Sequence, residues 1–363
     1  MAGNPFSGKD ARPHVEGDFA REELALAYRN VALPLEALAY DVTPVGLHYT
    51  LSHFDVLRLD EGGFRLTVSG RVARPLALAL ADIRRLPAHT LRVTMECAGN
   101  GRGLMVPRYP SMPWLYEGVS TAEWTGAPLR HVLEEAGLER DAVDIAFLGA
   151  DRGFDRGVEH DYGRSLTPAD ALSDDVLLAY AMNGAPLLPQ HGFPLRLVVP
   201  GWFGMASVKW LTRIEALDRA FDGFQQAVGY HYRKFAGDPG VPITHAKVKS
   251  LIAPPGIPDW YTRRRLVERG TVALAGRAWS GAGTAIARVE VAVDGVWRDA
   301  VVARQAQRFT WQAWHYGWEA TPGDHELACR ATDARGATQP LEPDWNTNGM
   351  GNNAVHRIQV TVR

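Results

Sequence analysis

A cysteine placed where an alternating segment gives way to glycines is the residue of this chain best suited to chemistry. Cys97 lies in Met95-Glu96-Cys97-Ala98-Gly99-Asn100-Gly101-Arg102-Gly103, directly after Leu91-Arg92-Val93-Thr94. The alternation predicts a strand that ends at the thiol, and the glycines predict a loop beyond it. A thiolate there is a soft metal ligand or a nucleophile, and Arg102 adds a permanent cation five residues on. Its neighbours are loop formers and not a packing stripe. The second cysteine, Cys329, shares one predicted strand face with Leu327 and Ala331 and reads as a small buried hydrophobe. Neither a further cysteine nor a histidine pair stands at zinc-ligand spacing, so zinc is poorly supported. Two cysteines make no disulfide framework, in keeping with a reducing compartment.

The elements that must hold this loop read as a mixed α+β domain followed by an all-β one. Residues 1–40 read as an N-terminal extension with a helical patch at 22–27, residues 41–240 as a first domain, the one that carries Cys97, and residues 241–363 as the second domain. In the first domain, Thr125 or Gly126 is expected to open a helix with Pro128 in its first turn; Leu129, Val132, Leu133 and Ala136 share its apolar face and Gly137 stops it. Thr167-Pro168 opens a second short helix. Residues 176–182 and 195–199 read as buried strands ending at Asn183-Gly184 and Pro200-Gly201. Glycines and prolines recur over 236–258 and place a boundary near 240. Beyond it, strands are expected at 271–278, 286–293, 296–302, 308–314, 325–331 and 355–362, with Asp294-Gly295 as a hairpin turn; this pattern predicts an immunoglobulin-like β-sandwich.

Length and composition set the outer bounds. The 363 residues suffice for two cored domains, and 46% hydrophobic with 22% charged residues is ordinary for a globular protein. A net charge of −2 gives no global field for nucleic acid or anionic membrane. The basic run Arg263-Arg264-Arg265 reads as a solvated loop. No apolar stretch reaches the length of a membrane span, and the chain as it stands reads as cytoplasmic, or periplasmic if a leader has been trimmed.

Around Cys97 the chain resembles the Cys-Ala-Gly-Asn-x-Arg signature of the sulfite oxidase family of molybdopterin enzymes. Residues 176–184 are similar to that family's Leu-Leu-Ala-Tyr-x-Met-Asn-Gly, and His191-Gly192-Phe193-Pro194-Leu195-Arg196 to its His-Gly-Phe-Pro-x-Arg. Pro200-Gly201-Trp202-Phe203-Gly204 with Val208-Lys209-Trp210-Leu211 resembles the next block. In the second domain, residues 276–281, Trp345-Asn346 and His356-Arg357 are similar as well. The resemblance covers residues 45–363 in order. It implies molybdenum with one molybdopterin as cofactor, Cys97 as the metal ligand, and oxygen-atom transfer with a substrate bearing a lone pair. It further implies that His191, Arg196 and Lys209, with the main chain of Ser207 and Val208, hold the cofactor phosphate. Asp151 would meet the pterin ring, and Tyr49 and His53 belong to the first cofactor-contacting loop. Tyr230, or Tyr232 in a shifted alignment, corresponds to the pocket tyrosine, and Trp114 to an apolar wall. Taken singly these residues have plainer readings, as strand caps, turn formers or core; their joint order and spacing favour the site.

The pocket departs from the family where an anionic substrate is gripped. Arg102 keeps one expected arginine, but Leu51 and Asn348 stand at the other two positions. Losing a charge-assisted contact weakens binding by roughly 1.5–3 kcal/mol, so a site weaker for sulfite, or tuned to a less charged sulfur or nitrogen substrate, is expected. Arg108, His231 and Arg233 are candidates to compensate. The chain has no Cys-x-x-Cys-His haem attachment, so the acceptor is expected to be a separate protein such as a cytochrome c, or a small oxidant. The second domain implies a homodimer, with Trp297, Trp311, Trp314 and Trp318 either at its interface or in the sandwich core. The sequence leaves two alternatives open: a reductase of nitrate or a sulfoxide, and a non-catalytic cofactor-holding homologue.

Overall fold

The computed structural model describes residues 19–363. In the first half, β1 (Leu66–Gly70), β2 (Leu76–Leu78), β3 (His89–Glu96), β4 (Val119–Pro128), β5 (Asp144–Asp155), β6 (Val158–Leu166), β7 (Leu177–Met182), β8 (Ala185–Pro186), β9 (Arg196–Val198) and β10 (Leu211–Leu217) form two sheets. One runs β2-β1-β10-β5-β6, with only β1 and β10 parallel; the other runs β3-β4-β7-β8, with β9 also on β7. Between them, Leu66, Val68, Ile145, Phe147, Leu178, Leu197 and Ile214 fill a core to which α2 (Leu80–Arg85) adds Leu80 and Ile83, and α3 (Leu129–Ala136) adds Leu129, Val132, Leu133 and Ala136. The expected apolar face of that helix is thus buried as read, and Gly137 ends it in the left-handed region at φ 69°. Its start differs. Thr125, Gly126 and Pro128 belong to β4, because pairing with β7 continues through Pro128. A Cβ on Gly126 would lie 2.2 Å from the Leu178 carbonyl. The short helix α4 (Pro168–Ala171) opens as expected, with the Thr167 hydroxyl accepting from the Asp170 N–H.

The second half is a two-sheet sandwich. Its strands are β11 (His231–Tyr232) and β12 (Val241–Pro242), a small ribbon, then β13 (Lys249–Ala253), β14 (Ile257–Pro258), β15 (Arg265–Val267), β16 (Gly270–Trp279), β17 (Ile286–Val293), β18 (Val296–Asp299), β19 (Val301–Val302), β20 (Gln312–Ala320), β21 (Gly323–Asp333) and β22 (His356–Val362). The sheets run β13-β16-β20-β19 and β14-β15-β22-β21-β17-β18. Asp294 and Gly295, at φ 50° and 81°, make the expected hairpin turn between β17 and β18. The strand expected at 308–314 begins only at Gln312 and runs to Ala320, since Phe309 and Trp311 instead bond across to Thr94 of β3. The run at 296–302 divides between the two sheets. Trp314, Trp318 and Cys329 lie in the sandwich core and Trp311 at the junction with the first half, so these tryptophans are not a free interface; Trp297 stacks against Arg330. The basic run is not simply solvated. Arg265 is buried in β15 and donates to the Pro254, Pro255 and Gly256 carbonyls.

The segment read as an extension contains helix α1 (Arg21–Arg29) and a 3-10 turn at Leu35–Ala39. Leu33 and Leu38 are fully buried with Val119 of the first half and Leu251, Trp279 and Trp311 of the second. Among the described residues no helix is long and apolar enough to cross a membrane.

Candidate functional site

The strand β3 delivers Cys97 as expected, one residue past its end, and the loop then closes in tight turns: Asn100 N–H donates to the Cys97 carbonyl and Arg102 N–H to that of Gly99. Two cavities meet at this sulfur. One is lined by His48, Tyr49, Asp151, His191, Arg196, Ser207 and Lys209; the other, of about 240 Å³, is lined by Arg102, Met112 and Asn348. Cys97, Leu51, His53 and Tyr230 border both. Burial raises the Cys97 thiol pKa, and Arg102, the Gly99 backbone and the Trp114 indole oppose the rise. The indole N–H itself has no partner at hydrogen-bonding geometry among the described residues. Trp114 packs behind the sulfur, edge-on to Tyr49, and lines neither cavity, so it backs the site without walling it.

The first cavity concentrates buried positive charge. Arg196, on β9, donates to the carbonyls of His191 (3.1 Å) and Ser207 (3.0 Å), while Lys209 donates to the Leu51 and Gln190 carbonyls and the Ser52 hydroxyl. All these acceptors are neutral, and neither cation forms an ion pair among the described residues. Burial brings Lys209 down to about 7, with Arg196 adding to the shift, and brings Arg196 down to about 10. His191 is depressed to about 2 by burial and the nearby His48, Arg196 and Lys209, and its Nε2 has no hydrogen-bond partner among the described residues. Asp151 stands at an irregularity where β5 slips register against β6, between Leu148 and Arg152, the kind of bulge that re-aims a side chain. Its carboxyl is pushed up to about 7 by burial, and Oδ1 is buried without a partner among the described residues.

Backbone conformation sets these side chains. Gly192, at φ 97°, allows the His191 turn to approach Lys209; a Cβ there would lie 2.9 Å from the lysine Cβ. Trp210 takes φ 48°, a strained position for a bulky residue, immediately after Lys209. Two expectations are not met. Val208 lies in the core and not on the cavity, and the N–H groups of Ser207 and Val208 are already bonded to the Gly204 and Ala206 carbonyls. Ser207 does line the cavity, but its hydroxyl accepts from the Val199 N–H.

In the second cavity Arg102 is buried at 5% exposure. Its Nε and Nη1 donate to the carbonyls of Asn348 (3.0 Å) and Met112 (3.1 Å). Asn348 arrives from the second half of the chain and also donates Nδ2 to the His231 carbonyl. Gly349, at φ 59°, permits this approach, since a Cβ would meet Arg102 Cγ at 2.7 Å. The Tyr230 hydroxyl and His53 Nε2 are 2.8 Å apart. Burial raises the phenol pKa and lowers that of His53 to about 4, which keeps both neutral. Tyr232 lies instead under Lys247 and against Gly351. The compensating cations expected from sequence are committed elsewhere: Arg108 pairs with Glu23, and Arg233 donates to the Asp238 and Val228 carbonyls. His231 is partly exposed, and burial lowers its pKa.

Two residues escape the sequence reading, one lining the first cavity and one packed behind Tyr230. His48 is a buried wall residue whose ring lies 5.3 Å from that of His191. Arg164 stacks over Tyr230 at 5.2 Å and bonds the Gln225 carbonyl. A charge at a buried position of an alternating strand was the available signal for Arg164.

The two halves meet directly behind the cysteine. Glu96 Oε1 accepts from Lys249 Nζ (2.8 Å) and Asn100 Nδ2 (3.0 Å), and Oε2 from Trp279 Nε1 (3.0 Å). Gly351 N–H and Asn352 Nδ2 donate to the Ala98 and Gly101 carbonyls.

Comparison with known proteins gives the family. The chain matches the model of an oxidoreductase molybdopterin binding domain over residues 53–225, and that of a Mo-co oxidoreductase dimerisation domain over residues 241–363. It is 36% identical over 360 residues to mitochondrial sulfite oxidase of Homo sapiens, covering 92% of this chain and 64% of that protein. It is 32% identical over 355 residues to a nitrate reductase [NADH] of Ulva prolifera, covering 88% of this chain and 40% of that protein. The chain therefore spans less than two thirds of the length of either enzyme. The sulfane dehydrogenase SoxCD from Paracoccus pantotrophus has a similar structure, with a TM-score of 0.78 at 29% identity, over 90% of this chain and 83% of that one. The chain belongs to the sulfite oxidase family of molybdopterin-dependent oxidoreductases, with a molybdopterin-binding domain followed by an immunoglobulin-like dimerisation domain.

Proposed function

We propose that this protein is a molybdenum-dependent oxidoreductase that adds an oxygen atom to sulfite or a related small sulfur substrate. Its electrons pass to a separate acceptor protein such as a cytochrome c, and the chain works as a homodimer. The observation that carries the reading is the position of Cys97 on the boundary between two cavities of different character, one rich in unneutralised buried cations and the other holding a single buried arginine, Arg102.

The residues present fit a molybdopterin. Arg196 and Lys209, buried with neutral acceptors only, suit a phosphate, which would restore the charge balance that burial disturbs. The unpartnered His191 Nε2 and Asp151 Oδ1 suit further polar atoms of the same group. When bound, the molybdenum and its pterin supply two-electron oxygen-atom transfer. Cys97 would hold the metal as thiolate, a form that Arg102 favours and metal binding itself promotes. On the other side Arg102 orients the substrate anion. Tyr230 keeps its proton and offers it as a hydrogen-bond donor toward the reacting centre, with neutral His53 fixing the phenol.

The test joins three measurements on purified protein: molybdenum by mass spectrometry, pterin by fluorescence after oxidation, and sulfite-dependent reduction of ferricyanide or cytochrome c. Stoichiometric metal and pterin with sulfite turnover support the reading. Metal and pterin without any oxidative turnover refute it. The similarity to nitrate reductase, together with neutral Leu51 and Asn348, favours a second reading, in which an oxidised substrate is reduced; nitrate-dependent oxidation of a reduced viologen tests it.

A further inference from the structure

We propose that the second cavity takes an organosulfinate, R–SO₂⁻ with an apolar R group, and that the enzyme converts it to the sulfonate. The inference rests on the oxygen-transfer reading above and deepens it.

Charge is the first argument. Arg102 is the cavity's buried cation, and with Nε and Nη1 held by carbonyls its Nη2 has no hydrogen bond among the described residues. Arg156 also borders the cavity, but it lies 3.3 Å from Asp155 on the same wall, so that pair adds no net charge. His53 is neutral, and Lys209 is held by Leu51, Ser52 and Gln190. Leu51 and Asn348 contribute no charge. One net positive charge matches one negative charge, and a dianion would be left half compensated in a desolvated site.

The walls are the second. Leu26 of α1, Leu51, Phe54, Met112, Phe154 and Met350 give the cavity that holds Arg102 an extensive apolar lining, beside the polar Ser52, Tyr109, Ser111 and Gln225. The cavity of about 240 Å³ is several times the ~30 Å³ that a water occupies, so an organic group fits beside the oxyanion. Such a group gains by burial, whereas a small dianion gains nothing from these walls. Oxygen transfer requires a lone pair on sulfur. A sulfinate combines that lone pair, a single charge and a carbon substituent. The balance is R–SO₂⁻ + H₂O → R–SO₃⁻ + 2 H⁺ + 2 e⁻: one S–O bond forms and both O–H bonds of water break. The protons go to solvent, and sulfur loses two electrons, which leave singly to a one-electron acceptor.

The experiment compares sulfite with methane-, ethane-, propane- and butanesulfinate on the molybdenum-loaded enzyme, using ferricyanide as acceptor. Calorimetric titration with the matching alkanesulfonates measures binding without turnover. Expected are a rise in kcat/KM and in sulfonate affinity of about four-fold per methylene, the equivalent of ~0.8 kcal/mol, and a shift of preference toward sulfite in Leu51→Arg. Sulfite turnover with inert sulfinates, or rates and affinities that do not vary with chain length, overturns this inference alone. A loaded enzyme that oxidises neither sulfite nor any sulfinate overturns it together with the reading beneath it.

Discussion

Replacing Lys249 by methionine removes the ammonium from the carboxylate that immediately precedes Cys97 in sequence. The side chains of Lys249 and Glu96 are 2% and 3% exposed, so water does not take over the lost contact. In the variant Glu96 keeps only the neutral donors Asn100 Nδ2 and Trp279 Nε1, and the Asn352 carbonyl loses its Lys249 donor. Breaking a buried pair by removing one partner costs about 3–5 kcal/mol, since a charge stays buried without its counter-ion. Removing both charges, in Glu96→Gln/Lys249→Met, is expected to cost no more than about 2 kcal/mol, because the amide oxygen still accepts from Trp279. Urea unfolding followed by tryptophan fluorescence, on metal-free protein, measures both variants and the coupling between the two positions. A loss below about 1 kcal/mol in Lys249→Met, or a double variant as damaged as the single one, would refute the reasoning. Because Glu96 anchors the cysteine loop, the single variant should also purify with less molybdenum.

Three further outcomes are expected. Cys97→Ser protein should fold with unchanged secondary structure by circular dichroism but carry under a tenth of the wild-type molybdenum, and retention of full metal content would exclude Cys97 as the ligand. Arg102→Met should keep its molybdenum while KM for an anionic substrate rises about ten- to a hundred-fold, from ~1.5–3 kcal/mol of lost charge-assisted bonding; an unchanged KM would remove Arg102 from the pocket's anion site. In cofactor-free protein Lys209 titrates near 7, against an ordinary value of 10.5, so between those two values the unfolded chain binds the extra proton. Stability from this group therefore rises with pH through that window, and Lys209→Met should flatten the slope in a series of denaturation curves from pH 6.5 to 10.5.

What the sequence revealed followed the scale of the signals. The face of α3 was legible because four apolar residues repeat at helical spacing, and the turn at Asp294-Gly295 because few residue pairs accept positive φ. Cys97 was conspicuous for the opposite reason, as a reactive residue outside any packing pattern. The start of α3 was misread because β7 holds Gly126 and Pro128 in a sheet, a contact between residues some fifty positions apart. Likewise β3 draws 309–311 away from the strand expected there. His48 is not legible because burial of a polar group outside any periodic segment is decided by folding partners, whereas Arg164 shares the alternating face of Val158, Tyr162 and Leu166 and could have been singled out. Val208 was placed on the cavity by motif alone, whereas the structure shows its amide engaged by Ala206 and its side chain in the core.

The loop that carries Asn348, Gly349, Gly351 and Asn352 has an implication for how this protein can be divided. It belongs to the sandwich, yet it supplies the carbonyl that fixes Arg102 and the donors that tie down Ala98 and Gly101. The boundary between the two modules is therefore not a cleavable seam: a fragment ending at the glycine- and proline-rich stretch would retain Cys97 but lose the scaffold that holds Arg102 and shapes the cavity beside it. Any transplant of this chemistry onto another protein must carry both pieces together.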